Sequence, residues 1–435
     1  MEINIKKITS HKVFQNFSVL MIGNILMQLL NVIAIIYVTK IFRPESFGLF
    51  SYMISQSLLL ATVADLGIRN IAIRTIARDI SLKNKIISTS VISILISNFV
   101  LYLIYYIYNY KFGSLSNTQV LLVSISSFVI CLSAITEYAF IGLQKMANIA
   151  MSGIAYSLIW LTIVLLLRGH EISINLLFLF YISTTAIKPL ILGVKLILKF
   201  NLKLELANFF SNYKILLKES SPYWGLVLVA LPANYLANNF LEINSTIDQV
   251  GYFSLATKFA LPISMILNVL LSALFPNISV IWASDPDRFN RLVNKSVPIF
   301  IITGGILAFF LTIILKPIFN IFFASEYLSA VLICKIQVWY TVLMGCCSLI
   351  GTIWGAMNKE KLAFKMAIIN SIINTPLLWF GSKYGGYGLS IAYVLSFAIF
   401  MVLLWVTFLK TNYLKKRSSF AWLVVSVLFA LSLVI

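Results

Sequence analysis

The stretch "RPESFGLFSY", Arg43 to Tyr52, interrupts a long apolar run with a charge pair, a proline and a glycine, after which apolar sequence resumes. Far down the chain a close variant appears, "QVGYFSLATK", Gln249 to Lys258. Gly48 and Gly251 each stand two residues before a Phe-Ser pair, 203 positions apart in a chain of 435 residues. Glycine and phenylalanine are common in apolar chains, so the match gains weight only from where each copy falls.

Composition sets the frame for that placement. The chain is 60% hydrophobic and 11% charged, whereas soluble proteins run at about 45–50% apolar and about 25% charged. Stretches long enough to cross a hydrocarbon core about 30 Å thick recur from end to end. We place spans at 17–41, 47–66, 86–108, 118–142, 147–167, 172–196, 223–241, 250–281, 297–323, 330–357, 362–380 and 388–409. The basic start "MEINIKKITSHK" leads into an apolar run too long for a signal peptide, so it is expected to be an uncleaved first span. A further apolar segment, Phe420 to Ile435, is short, and whether it spans is left open.

Charge fixes the orientation. With the N-terminus inside, 24 of the 33 Lys and Arg fall on the cytoplasmic side, in clusters at 69–85, 195–218, 288–295, 359–365 and 410–417, with Lys6, Lys7, Lys12 and Lys145. Seven lie at the outer loops, and Lys188 and Lys258 lie within spans. This is the positive-inside pattern, kept in phase over twelve spans. The net charge of +19 therefore reads as topogenic and lipid-facing, with membrane lipids and no nucleic acid as partners. Cys131, Cys334, Cys346 and Cys347 lie inside spans with no His or carboxylate at ligand spacing, so neither a disulfide nor a metal site is indicated.

The longest polar interruption falls mid-chain. In "LELANFFSNYKILLKESSPYW", Leu206, Phe209, Phe210, Tyr213, Leu216 and Leu217 follow helical periodicity while Lys214 and Lys218 face the headgroups, as in an interfacial amphipathic helix. The expected organisation is an N-terminal six-helix lobe at 1–200, a cytoplasmic linker at 201–222, a second six-helix lobe at 223–410, and a tail at 411–435 with a short apolar helix. Each Gly-x-Phe-Ser turn then joins the first and second spans of its half on the outer face. Six spans is an even number, so the halves share one orientation. The fold class is all-α integral membrane, with about twelve transmembrane helices in two like-oriented six-helix bundles around a central cavity. Pro232, Pro262, Pro276, Pro298, Pro317 and Pro376 put most span prolines in the second half. Spans 7 and 8 are accordingly the ones expected to bend.

The sequence resembles the polysaccharide transporters, the O-antigen flippases of the multidrug, oligosaccharidyl-lipid and polysaccharide exporter superfamily. The likeness lies in "FQNFSVLMIGNILMQLLNVI", "RPESFGLFSY", "DLGIRNIAIRTIARD", "VGYFSLATKFALP" and "GGYGLSIAYVLS", in order along nearly the whole chain. It implies a multi-pass protein of the bacterial cytoplasmic membrane, N-terminus inside, that moves an undecaprenyl-pyrophosphate-linked sugar repeat unit to the outer leaflet. It also implies a polysaccharide polymerase and a chain-length regulator as neighbours in the process, and no cofactor. Many relatives carry an acidic residue in the seventh span where this chain has Asn238 and Asn239, so no ion-coupling role carries over to that position.

A pyrophosphate is costly to bring into a low-dielectric region without compensating cations. Lys258 lies roughly 12 Å below the outer surface at about 1.5 Å rise per residue, and the matching residue of the first copy is Ser55. Either it faces the cargo or it snorkels to the headgroups. Lys188, beside Pro189, is the second candidate for the substrate. Asn234, Asn238 and Asn239 suit sugar hydroxyls and Tyr235 a sugar ring, against a role as interhelical contacts. Glu137 is the carboxylate best placed for ion coupling, against pairing with Lys145. Asp65 and Arg69, one helical turn apart, form a gate or simply support a helix end.

Rival classes fare worse. A multidrug antiporter of the same superfamily needs intramembrane carboxylates for cationic drugs, whereas this chain carries lysines at depth. A membrane polymerase or glycosyltransferase is favoured only by "DPD" at 285–287, a metal-clamping spacing, in a short loop with no domain to hold a nucleotide. There is no Walker A sequence. A transporter and not an enzyme is expected.

Overall fold

The computed structural model describes residues 2–205 and 207–409, together with Val425, Leu428 and Phe429. In chain order the helices of the first half are α1 (Glu2–Ile41), α2 (Pro44–Ala64), α3 (Ile68–Arg78), α4 (Lys83–Phe112), α5 (Asn117–Gly142), α6 (Met146–Leu166) and α7 (Ile174–Phe200). There follow α8 (Phe209–Tyr235), α9 (Ala237–Asn244), α10 (Ile247–Ser284), α11 (Pro286–Phe322), α12 (Ala330–Ala356), α13 (Glu360–Ser382) and α14 (Gly385–Leu409). No strand occurs among the described residues. Among the described residues eleven helices are long and apolar enough to cross a membrane, or twelve when the α8–α9 pair, bent by 48°, is counted as one span. The fold is all-α with the expected number of spans.

Local chemistry sets the ends of these helices. Ser116 and Gln119 close a reciprocal capping box at the start of α5, and the Ser173 hydroxyl accepts from the Leu176 N–H at the start of α7. Asn201, in the left-handed conformation, ends α7. Asp285 accepts from the Arg288 N–H and Pro286 occupies the first turn of α11. The "DPD" stretch therefore builds a helix start.

The chain divides into two compact units, one of Met1–Ile41 and Tyr52–Leu231, the other of Phe42–Ser51 and Pro232–Ile435. In the first, α1 packs on α6, and α5 is flanked by α3, α4, α6 and α7. Its core joins Ile94 of α4, Phe140 of α5, Ile149 of α6 and Leu192 of α7. In the second, α12 is the hub, in contact with α10, α11 and α14.

The second unit holds both copies of the opening motif, and they touch. A Cβ added to Gly251 would lie 2.6 Å from the Pro44 carbonyl oxygen, and one added to Gly48 would fall on the Ile247 carbonyl oxygen. Pro44 and Ile247 each precede their glycine by four residues. The contact is thus reciprocal, glycine on carbonyl and carbonyl on glycine, as a two-fold relation between duplicated segments requires. Such proximity between helices demands residues without side chains. Around it, the Tyr327 hydroxyl donates to the Phe42 carbonyl at 2.8 Å, and its ring meets Phe47 and Tyr252 edge-on.

The structure alters two local expectations. The amphipathic stretch is not a separate helix, because α8 runs unbroken from Phe209 to Tyr235 through Pro222. Proline deprives the carbonyl four residues earlier, that of Lys218, of its helical N–H. Here the Ser221 hydroxyl donates to that carbonyl at 3.1 Å, which lets the helix continue. The short apolar tail is seen at Val425, Leu428 and Phe429, which are helical. Val425 and Leu428 lie over Gly305 of α11, and Phe429 packs edge-on against Trp339 of α12. The basic cluster at 410–417 lies outside the described residues.

Candidate functional site

In the first unit the second span ends at Ala64, and a turn through Asp65, Leu66 and Gly67 leads into α3. Leu66 and Gly67 both have positive φ, 52° and 70°, a conformation that L side chains resist. The last carbonyls of the span, Ala61 with its Asp65 N–H and Val63 with a long contact from the Leu66 N–H, also meet donors from neighbouring helices. Ala61 accepts from the Cys131 thiol, Val63 from the Trp224 indole N–H at 3.2 Å, and Ala64 from the Ser97 hydroxyl at 2.9 Å. Donors thus arrive from α5, α8 and α4. Gly67 has no substitute, since a Cβ there would come within 2.6 Å of the Trp224 nitrogen and 2.8 Å of the Ser220 oxygen.

This turn organises the polar residues around α5. Asp65 sits on it and accepts from the Tyr138 hydroxyl at 3.0 Å, while the Arg69 guanidinium lies 5.6 Å from the centre of the same ring. Asp65 and Arg69 are therefore not a side-chain pair on one continuous helix, because the turn separates them and both converge on Tyr138. The residue before Tyr138 is Glu137, whose Oε1 lies 2.6 Å from Lys188 Nζ of α7. The Ser133 hydroxyl donates to the same oxygen at 3.3 Å. Glu137 thus takes Lys188 as its partner, and two residues singled out for different roles form one ion pair. Sequence reading missed Tyr138 and Ser133. Their only signal was position, one residue after and one turn before Glu137.

The second unit assembles the other candidates around α9 and α10. The Asn238 amide donates to the Ser254 hydroxyl at 3.2 Å, while its own Oδ1 is buried without a partner. Lys258 follows Ser254 by one turn on α10, so the two share a face. Lys258 is partly buried, and no hydrogen bond or ion pair to it is found among the described residues. Asn234 is exposed and Tyr235, at the end of α8, is partly buried. The bend follows at Leu236. One turn before it, the Ala233 carbonyl accepts from the Tyr393 hydroxyl at 2.8 Å. Tyr393 also stacks on Phe253 and contacts Tyr340. Neither tyrosine was anticipated, since nothing in a run of apolar helix distinguishes them from packing residues.

The family model described as polysaccharide biosynthesis protein matches residues 13–282. The chain belongs to this family. Among solved structures, it is similar to one titled lipid II flippase MurJ, inward closed conformation. That match has 18% identity, covers 95% of this chain and 90% of that one, and has a TM-score of 0.75. A multidrug resistance MATE family transporter of the MOP superfamily, in an inward-facing conformation, matches at 12% identity over 92% and 95% of the two chains, TM-score 0.69. The Vibrio cholerae MATE transporter VcmN in its bent form matches at 15% identity over 93% and 98%, TM-score 0.53. No curated protein sequence matches. At these identities the structural likeness establishes the two-lobed, all-helical transporter fold. This polysaccharide biosynthesis family member thus has the all-helical fold of those solved structures, with the helices of a multi-pass membrane protein.

Proposed function

We propose that the chain translocates undecaprenyl-pyrophosphate-linked oligosaccharide repeat units, of O-antigen or capsular type, from the inner to the outer leaflet of the bacterial cytoplasmic membrane. The N-terminus lies in the cytoplasm, and the units are delivered to a polymerase and its chain-length regulator. The observation that carries the reading is Lys258, a cation on an apolar helix with no protein partner among the described residues. A lysine at a helix centre costs on the order of 2.5–3.5 kcal/mol on insertion scales, and an anionic headgroup supplies the missing counter-charge. Asn238, with an unpaired oxygen, and Ser254 are the neighbouring hydrogen-bonding groups for sugar hydroxyls, extended by Asn234, Tyr235 and Asn239 along the bent seventh span.

Translocation proceeds by alternating access coupled to an ion gradient through Glu137, with Asp65, Arg69 and Tyr138 holding the turn that follows the second span. Membership of the polysaccharide family and likeness to a protein titled lipid II flippase support this cargo class. The test is to delete the chain in its source cell and locate the lipid-linked units. Complete units retained in the inner leaflet are expected. Units already exposed outside but unpolymerised would refute it.

A further inference from the structure

We infer that Lys188 is an anion-binding group kept closed by Glu137, and that a proton on Glu137 opens it to a phosphate-bearing ligand. The inference rests on the reading above that the cargo is anionic, and it names how one ion pair links that cargo to a proton. The ammonium and carboxylate are 2.6 Å apart, and no other partner of Lys188 is found among the described residues. While paired, Lys188 already holds its counter-charge and binds a second anion weakly. Once Glu137 is neutral, the cation is left without one.

Three features suit the pair to this exchange. Glu137 is the more exposed partner, its side chain 30% exposed against 13% for Lys188, so the proton acceptor is more accessible than the ammonium it pairs with. Ser133 can donate to the carboxylate or accept from the protonated acid, so Glu137 keeps a hydrogen bond in either state. Pro189, next to Lys188, removes the helical N–H of the Thr185 carbonyl and loosens α7 where the lysine must move. The step transfers one proton from water to a carboxylate oxygen and forms no covalent bond to the ligand.

The remaining charged groups on elements packed against α5 and α7 are engaged elsewhere or lie at helix ends. Asp65 and Arg69 meet Tyr138, Arg74 pairs with Glu219, and Lys195 donates to Asn148. Lys83 and Lys85 begin α4, Lys145 precedes α6, and Lys199 ends α7. Tyr138, the next residue after Glu137, is a phenol whose hydroxyl is given to Asp65. Glu137 is thus the group whose protonation changes the charge facing Lys188.

The experiment measures binding of inorganic pyrophosphate to the purified full-length chain as the pH is lowered from about 8 to about 5. Where binding takes up one proton, linkage allows affinity to rise by up to about tenfold per pH unit. Pyrophosphate's own protonation contributes equally to every variant and cancels between them. Glu137→Gln should bind at least about tenfold more tightly than wild type at the upper pH and lose the added slope. Lys188→Gln should bind less and lose the added slope, leaving the pH-independent binding that Lys258 supplies. An unchanged slope in Glu137→Gln, or undiminished binding in Lys188→Gln, overturns the inference. Should either variant fail to fold, infrared spectra of the wild type decide. Adding pyrophosphate at fixed pH must raise the carbonyl band of a protonated carboxylic acid, and its absence overturns the inference. Normal pyrophosphate linkage with no translocation of lipid-linked units in cells overturns the function reading alone. Translocation without the linkage overturns this inference alone.

Discussion

At the scale of single residues, the two intramembrane lysines differ in one respect that matters. Lys188 has a carboxylate at 2.6 Å and Lys258 has no partner among the described residues. Lys258→Ala should therefore leave the folded chain at normal abundance while lowering the rate of translocation at least about tenfold, a barrier change of about 1.4 kcal/mol. Lys258→Arg, which keeps the charge, should retain more activity. Removing Glu137 or Lys188 separately leaves a charge uncompensated, whereas Glu137→Gln/Lys188→Gln leaves none, so thermal melts should show the double variant more stable than Lys188→Gln. Tyr138→Phe withdraws the hydroxyl that Asp65 accepts from and should cost about 1–3 kcal/mol in denaturant unfolding. The candidates Lys258, Lys188 and Glu137 were legible because a charge in an apolar span is conspicuous. Their partnerships were not. Glu137 and Lys188 lie on α5 and α7, 51 positions apart, and no helical spacing rule reaches across such a gap. Asp65 and Arg69 have the spacing of a helical pair, yet the positive φ at Leu66 and Gly67 takes them off one helix.

At the scale of elements, the two Gly-x-Phe-Ser copies are in contact with each other. Gly48 and Gly251 each receive the other copy's carbonyl, and either glycine replaced by alanine should destabilise the chain by about 1–3 kcal/mol through overpacking. The two substitutions report on one contact, so Gly48→Ala/Gly251→Ala should cost less than the sum of the singles. A fully additive double variant would mean that the two glycines do not share a contact. The repeat could be read in sequence because its two copies keep the same spacing, but their apposition could not, since sequence gives a symmetry and no distance. The seventh span bends as its proline suggested, though at Leu236, where the Tyr393 hydroxyl is available one turn before the break. The linker merges with that span because Ser221 replaces the hydrogen bond Pro222 removes, a local substitution that composition does not reveal.

At the scale of the whole molecule, the expected span number, basic-loop alternation and even count per half all came from hydrophobic thickness and charge bias, and the described residues hold eleven candidate spans, or twelve with the bent α8–α9 pair. The chain belongs to the polysaccharide biosynthesis family and shares the all-helical fold of the solved transporters. The central claim is that its cargo is an anionic, pyrophosphate-linked sugar lipid. The most direct test reconstitutes the purified chain in sealed vesicles loaded with undecaprenyl-pyrophosphate-linked oligosaccharide. It then follows how fast the units in the far leaflet become accessible to a glycosidase added outside. The account predicts accessibility rising well beyond that of protein-free vesicles and slowing in Lys258→Ala. Accessibility no greater than in protein-free vesicles, alongside proton-driven uptake of an organic cation, would contradict it.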